Sequence, residues 1–209
     1  MKILVGAGSD APAWSAQGWA CNDIAEAAAL HPGITLVGPC WAIPVENASV
    51  DEIMARGMLE HLTYREVVQS FQEWRRIIKI GGHFTVEVPD VEEYLREYFI
   101  MRRDPSQWRG EGADGCVEEP DDHDACDGID RWLRRALWGW QRWPGDEHRS
   151  GWTQPMLEVY LKKYFSERYD IRRMTHSYDE DMPEGPRSRK AEGGRADHIR
   201  HLWARAWKV

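Results

Sequence analysis

Apolar positions in this chain come first as short runs closed by glycine, too brief for helices. Lys2 to Val5 reads as a short buried strand ended by Gly6, and "GITLVG" (Gly33 to Gly38) is another apolar, β-branched run bounded by glycines. "SVDEIMAR" leads into one more, Val50 to Ala55. The pattern then changes period. Thr63 offers a hydroxyl cap with Glu66 three residues on, and Val67, Phe71, Trp74 and Ile78 follow at helical spacing, which predicts an amphipathic helix running to Gly81-Gly82. "HFTVEVPD" (His83 to Asp90) alternates as a strand until Pro89 forbids further ladder bonds. Val91 to Met101 predicts a helix with Tyr94, Leu95, Tyr98 and Phe99 as its apolar face, and another runs from about Gln154 to Phe165 with Thr153 as cap and Pro155 near its first turn. Two strands close the chain, Tyr169 to His176 and His198 to Val209, joined by a polar Gly/Pro-rich loop. This order predicts an α/β, Rossmann-like doubly wound sheet, mostly parallel with a C-terminal antiparallel strand. No internal repeat is present.

Between Pro105 and Trp152 the pattern breaks. That stretch holds Trp108, Trp132, Trp138, Trp140, Trp143 and Trp152, and from Glu111 to Asp130 it has nine acidic residues and no Lys or Arg. The net charge of -8 is therefore local, the remainder carrying about +1. Such a balance argues against a nucleic-acid partner, whose phosphates attract Lys and Arg. No apolar run is long enough to span a membrane and no leader pattern is evident, so a soluble, cytoplasmic chain is expected. Its 209 residues suit one domain with the 105–152 segment as a lid over an acceptor pocket. Arg131 to Trp143 reads as an amphipathic helix that covers the core or forms a homodimer contact. Cys21, Cys40, Cys116 and Cys126 form no CxxC pair and are expected to be reduced. Cys116, His123 and Cys126 are metal-binding residue types without metal-site spacing, and no metal is expected.

The opening "KILVGAGSDA" formally fits G-x-G-x-x-G/A, which leaves a dinucleotide site and a plain tight turn both open. Pro12, Trp14 and Gly18 leave little room for a full crossover helix, and no P-loop lysine follows the turn. Asp23 falls where the strand after the turn would end. Its carboxylate suits two ribose hydroxyls, and it also suits the cap of a helix over Ile24 to Leu30.

"LVGAGSD", "WACNDI", "CWAIPVENASVDEIMARGMLEHL", "YREVVQSFQEWRRIIKIGGHFTVEVPD" and "GDEHRSGWT", in that order, resemble the small class I S-adenosylmethionine-dependent methyltransferases. The resemblance implies that Gly6, Ala7 and Gly8 pass under the methionine part of S-adenosylmethionine and that Asp23 holds the ribose. It places Cys40 and Trp41 at the adenine, and Arg56 and Gly57 beside the methionine moiety. Glu60 and His61 in "LEHL" read mainly as residues that order the loop. His148 is the candidate base, with Asp146 or Glu147 to orient it, since imidazole takes a proton near neutral pH. The implied reaction is methyl transfer to an O or N of a small-molecule or glycan-like acceptor. Two other readings stand beside it: an inactive methyltransferase-like binding module acting through the Trp-rich insertion, and an NAD(P)-dependent oxidoreductase.

Overall fold

The computed structural model describes residues 1–107, 128–139, 145–165, 168–173 and 201–209. Most of the acidic run, Cys116, His123, Cys126, Trp108, Trp140, Trp143 and the loop joining the last two strands lie outside the described residues. Seven strands, β1 (Lys2–Val5), β2 (Ala20–Asp23), β3 (Ile34–Val37), β4 (Val50–Arg56), β5 (Ile78–Pro89), β6 (Tyr169–Arg173) and β7 (His201–Trp207), form one sheet in the order β3-β2-β1-β4-β5-β7-β6. β7 runs antiparallel to β5 and β6, while the pairs among β1 to β5 are parallel. The switch point lies at β1, whose carboxyl end is the Gly6 turn, and open α/β sheets hold ligands there.

Alternation along the central strands builds two apolar layers. Ile3, Val5, Ile53 and Ala55 face one way and pack with α3 (Tyr64–Ile77) and α6 (Gln154–Phe165). Leu4, Cys21 and Met54 face the other, under Ala11 and Trp14 of α1 (Ala11–Ser15). Phe71 and Trp74 of α3, Phe84 of β5 and Phe165 of α6 meet in the larger layer, with Phe84 and Phe165 rings 4.4 Å apart. The remaining helices are α2 (Ala25–Leu30), α4 (Val91–Arg103) and α5 (Gly128–Trp138).

Several sequence expectations change in detail. The Thr63–Glu66 capping box is present in both directions. However, α3 stops at Ile77, and Ile78 turns extended because it pairs with Val50, so β5 runs through Gly81 and Gly82 with a register shift instead of starting after them. Along α4 the expected apolar face is only half covered, and Phe99 is exposed. The 131–143 helix is observed as α5, ending at Trp138, and it docks on α4 through the Tyr98 hydroxyl, which donates to Asp130 Oδ1 at 2.7 Å. Ile24, rather than Asp23, is the N-cap of α2, and its side chain makes no cap bond.

Candidate active site

Gly6 and Gly8 leave β1 with φ of +65° and +42°, the left-handed region that glycine enters without strain. A side chain at Gly6 would collide with Met58, whose Cβ would lie 3.0 Å away, so the turn and the loop after β4 are fitted against one another. At Gly8 the equivalent direction is open, with no atom within 4 Å. Asp23 Oδ2 accepts the Gly8 N–H at 2.8 Å, and its Oδ1 accepts the Ile24 N–H at 2.8 Å. A carboxylate has about four lone-pair sites, so roughly two remain for a ligand. Asn22 beside it is fully buried and donates to the Leu36 and Gly38 carbonyls, tying the tips of β2 and β3 together. α1 is five residues long, as the crowding by Pro12 and Gly18 anticipated.

The loop after β3 is clamped from α3. Arg76 donates to the Ile43 and Val45 carbonyls, and Glu73 accepts the Ile43 N–H. Cys40 turns its thiol into the core, where Sγ lies 3.2 Å from the Ser70 hydroxyl and burial pushes its pKa up to about 11. Trp41 is half-buried against the same layer.

The end of β4 carries most of the charge. Arg56 Nε lies 3.3 Å from Oε2 of the fully buried Glu87, and Glu87 Oε1 is 2.5 Å from His201 Nδ1 on β7. Gly57 donates its N–H to the Glu87 carbonyl. A helical turn, Leu59–His61, follows Met58, and the 145–152 segment is laced onto it. The Glu60 carbonyl accepts from the N–H groups of Arg149 and Ser150 at 2.7 and 3.0 Å, and the Ser150 hydroxyl donates to the Leu59 carbonyl. Glu60 thus orders this loop through its backbone, and His61 does so through its ring.

Their side chains do more. The Glu60 carboxyl is 97% removed from solvent, being 3% exposed, and its Oε2 has no hydrogen-bond partner among the described residues. Burial, with the negative charge of Glu87 added, pushes its pKa up to about 8. His61 Nδ1 lies 3.2 Å from the Glu147 carbonyl, and His148 Nδ1 lies 3.2 Å from the Ala136 carbonyl at the end of α5. The two rings meet edge to face, with centroids 5.1 Å apart. Burial, then the neighbouring His61, brings the His148 pKa down to about 4, although the charge of Asp146 acts the other way. Imidazole at that value is neutral at pH 7 and a weak proton acceptor. Sequence reasoning missed Glu87 and the role of Glu60. The visible signal was a carboxylate within the apolar alternation of "HFTVEVPD", a central strand.

A family model described as a methyltransferase domain matches residues 6–86, from the Gly6 turn through most of β5. A solved S-adenosylmethionine-dependent methyltransferase from Thermotoga maritima, described as a possible histamine N-methyltransferase, superposes with a TM-score of 0.54 at 14% identity, covering 100% of this chain and 81% of that one. One from Archaeoglobus fulgidus gives a TM-score of 0.55 at 10% identity, covering 99% and 85%. A third, from Methanosarcina mazei, gives 0.52 at 15% identity, covering 100% and 92%. Over residues 6–86 the chain matches a methyltransferase domain, and its sheet has the fold of these S-adenosylmethionine-dependent methyltransferases. No curated protein matches the sequence. The Gly6–Gly8 turn has room for S-adenosylmethionine: the backbone at Gly8 faces open space, and Asp23 offers acceptor sites beside it. Among the described residues, no helix is long and apolar enough to cross a membrane.

Proposed function

We propose that the chain is a class I S-adenosylmethionine-dependent methyltransferase acting on an O or N of a small-molecule or glycan-like acceptor that meets the cofactor beside Glu60, His61 and His148. The observation that carries this reading is the position of that trio. Glu60 and His61 lie two and three residues after Met58, the residue against which the Gly6 turn is seated, and His148 is held next to His61.

In this reading Gly6, Ala7 and Gly8 run beneath the methionine portion, and the spare lone pairs of Asp23 accept the ribose hydroxyls. The Cys40–Trp41 segment borders the adenine, and Arg56 and Gly57 border the methionine. Bound S-adenosylmethionine supplies a methyl group on a sulfonium, reactive enough that the chain must chiefly align the nucleophile and exclude water. The Ala136 carbonyl can only accept, so the neutral His148 ring carries its proton on Nδ1 and keeps a lone pair on Nε2. That lone pair receives the hydrogen bond of the acceptor, with Asp146 adding a nearby negative charge. Because His148 is so weakly basic, its main contribution is orientation. The whole chain acts as one domain, with the 105–152 segment as its lid: α5 ends at Trp138, whose carbonyl accepts the His148 N–H at 3.0 Å, so movement of α5 would reach the acceptor position.

The test uses S-adenosylmethionine labelled in its methyl group, incubated with the protein and a cell extract that is then separated into small-molecule, polysaccharide, protein and nucleic-acid fractions. Label in the small-molecule or polysaccharide fraction is expected. Label confined to protein or RNA would overturn the proposed acceptor class.

A further inference from the structure

The side chains of Glu60, His61 and His148 converge at the loop that follows β4. One ligand-competent atom each from Glu60, His61 and His148 lie within 4.8 Å of one another. Both imidazoles have Nδ1 set against a backbone carbonyl, which can only accept, so each neutral ring donates from Nδ1 and presents a bare lone pair on Nε2. Metal-binding histidines are commonly fixed in this way, by a carbonyl that sets the tautomer and the ring orientation. The third member is a carboxyl 3% exposed whose Oε2 has no partner among the described residues.

An unsatisfied carboxyl at that depth is costly, and nearby cations are engaged elsewhere: Arg56 with Glu87, and Arg149 with Glu66 at 3.3 Å. A positive ion among the three groups removes the cost. We propose that Glu60, His61 and His148 form a binding site for a divalent first-row transition-metal ion. Two nitrogens and one oxygen suit zinc, manganese, iron or cobalt better than magnesium or calcium, which favour all-oxygen sets. An ion with bonds of about 2.1 Å in tetrahedral array brings its ligand atoms to about 3.4 Å of each other, so the side chains must close by at most about 1.4 Å. Three protein ligands leave a coordination position open.

This rests on the acceptor position proposed above and narrows the acceptor to one bearing a hydroxyl; with the ion bound, the His148 Nε2 lone pair is taken by the metal, and the metal's open position replaces the direct hydrogen bond from the acceptor. Its oxygen would take the open position, and the ion would lower the hydroxyl pKa so that the proton passes to solvent. That replaces a protein base.

The test is titration of chelator-treated full-length protein with cobalt(II) chloride, read by visible absorption and calorimetry, with a parallel titration of S-adenosylhomocysteine. Expected are about one equivalent of cobalt bound, with ligand-field bands, and at least tenfold weaker cobalt binding in each of His61→Ala, His148→Ala and the near-isosteric Glu60→Gln. S-adenosylhomocysteine should bind all of these proteins. If the wild-type protein binds S-adenosylhomocysteine but no cobalt, the metal site is refuted and the cofactor reading stands. Cobalt binding that survives in the His61→Ala/His148→Ala protein places the ion elsewhere and equally refutes it. Failure of the wild-type protein to bind S-adenosylhomocysteine would overturn the reading on which the site rests.

Discussion

Substituting Gly6 and Gly8 separately by Ala should split stability from cofactor binding, although only Ala7 separates the two glycines. At Gly6 the backbone sits at φ +65°, which costs a side-chain-bearing residue about 1–2 kcal/mol. The new methyl would also overlap buried Met58, and overpacking of this kind costs about 1–3 kcal/mol. Together these give on the order of 3 kcal/mol, which for a chain of this length lowers Tm by roughly 6–12 °C. At Gly8 the φ cost remains, but no atom lies within 4 Å, so the fold loses only about 1–2 kcal/mol. The Gly8 methyl instead enters the space assigned to the cofactor, and S-adenosylhomocysteine affinity should fall at least tenfold, about 1.4 kcal/mol. Urea denaturation and calorimetric titration of both proteins provide the two readings. Adding Met58→Ala to Gly6→Ala should return the steric share of the loss and leave the φ share, a coupling that a double-mutant cycle measures. Wild-type stability in Gly6→Ala, or wild-type affinity in Gly8→Ala, would refute the assignment of the turn.

The other predictions concern single contacts. Asp23→Ala should weaken S-adenosylhomocysteine binding by well over tenfold in calorimetry, because it removes both the ribose acceptor and the group holding the Gly8 N–H; unchanged affinity would remove Asp23 from the site. Thr63→Ala should cost about 1 kcal/mol in urea denaturation, since it removes the hydroxyl that accepts the Glu66 N–H and donates to Glu66 Oε2, leaving only the backbone arm of the capping box on α3. Glu52 lies in a different part of the sheet, 2.8 Å from Lys2 and 3.3 Å from His83. Burial pushes its pKa up, but these two partners outweigh burial and bring it down to about 2. The unfolded chain, with Glu near 4.5, therefore binds more protons between these values. The Glu52 contribution should be whole above about pH 5 and fade as pH falls toward 2; urea midpoints measured across that range should lose this component in Glu52→Gln.

What the sequence disclosed follows from how local each signal is. The Thr63–Glu66 box and the spacing of Val67, Phe71 and Trp74 lie within one helix, and both ends of the evidence are in view. Ile78 misled because it continues the helical spacing after Trp74 while its backbone pairs with Val50, a partner 28 positions earlier that periodicity does not register. The site is less local still. Glu87 is a buried anchor between Arg56, 31 residues before it, and His201, 114 residues after it, and the orientation of His61 is set by the Glu147 carbonyl, 86 residues away.

The glycine turn and Asp23 could be proposed for the cofactor because its position in this fold follows from strand order and a short stretch of chain. The acceptor side has no such rule. His148 stood out as a base because imidazole titrates near neutral pH, but enclosure by α5 and the "LEHL" turn brings its pKa down to about 4. The same packing gives Glu60 and His61, which read from sequence as loop-ordering residues, two functions at once. The Glu60 carbonyl and the His61 ring fasten the 145–152 segment, and both side chains lie close to His148. The bonds that order this loop also assemble the trio, so a residue with a structural backbone role here is not thereby excluded from the chemistry.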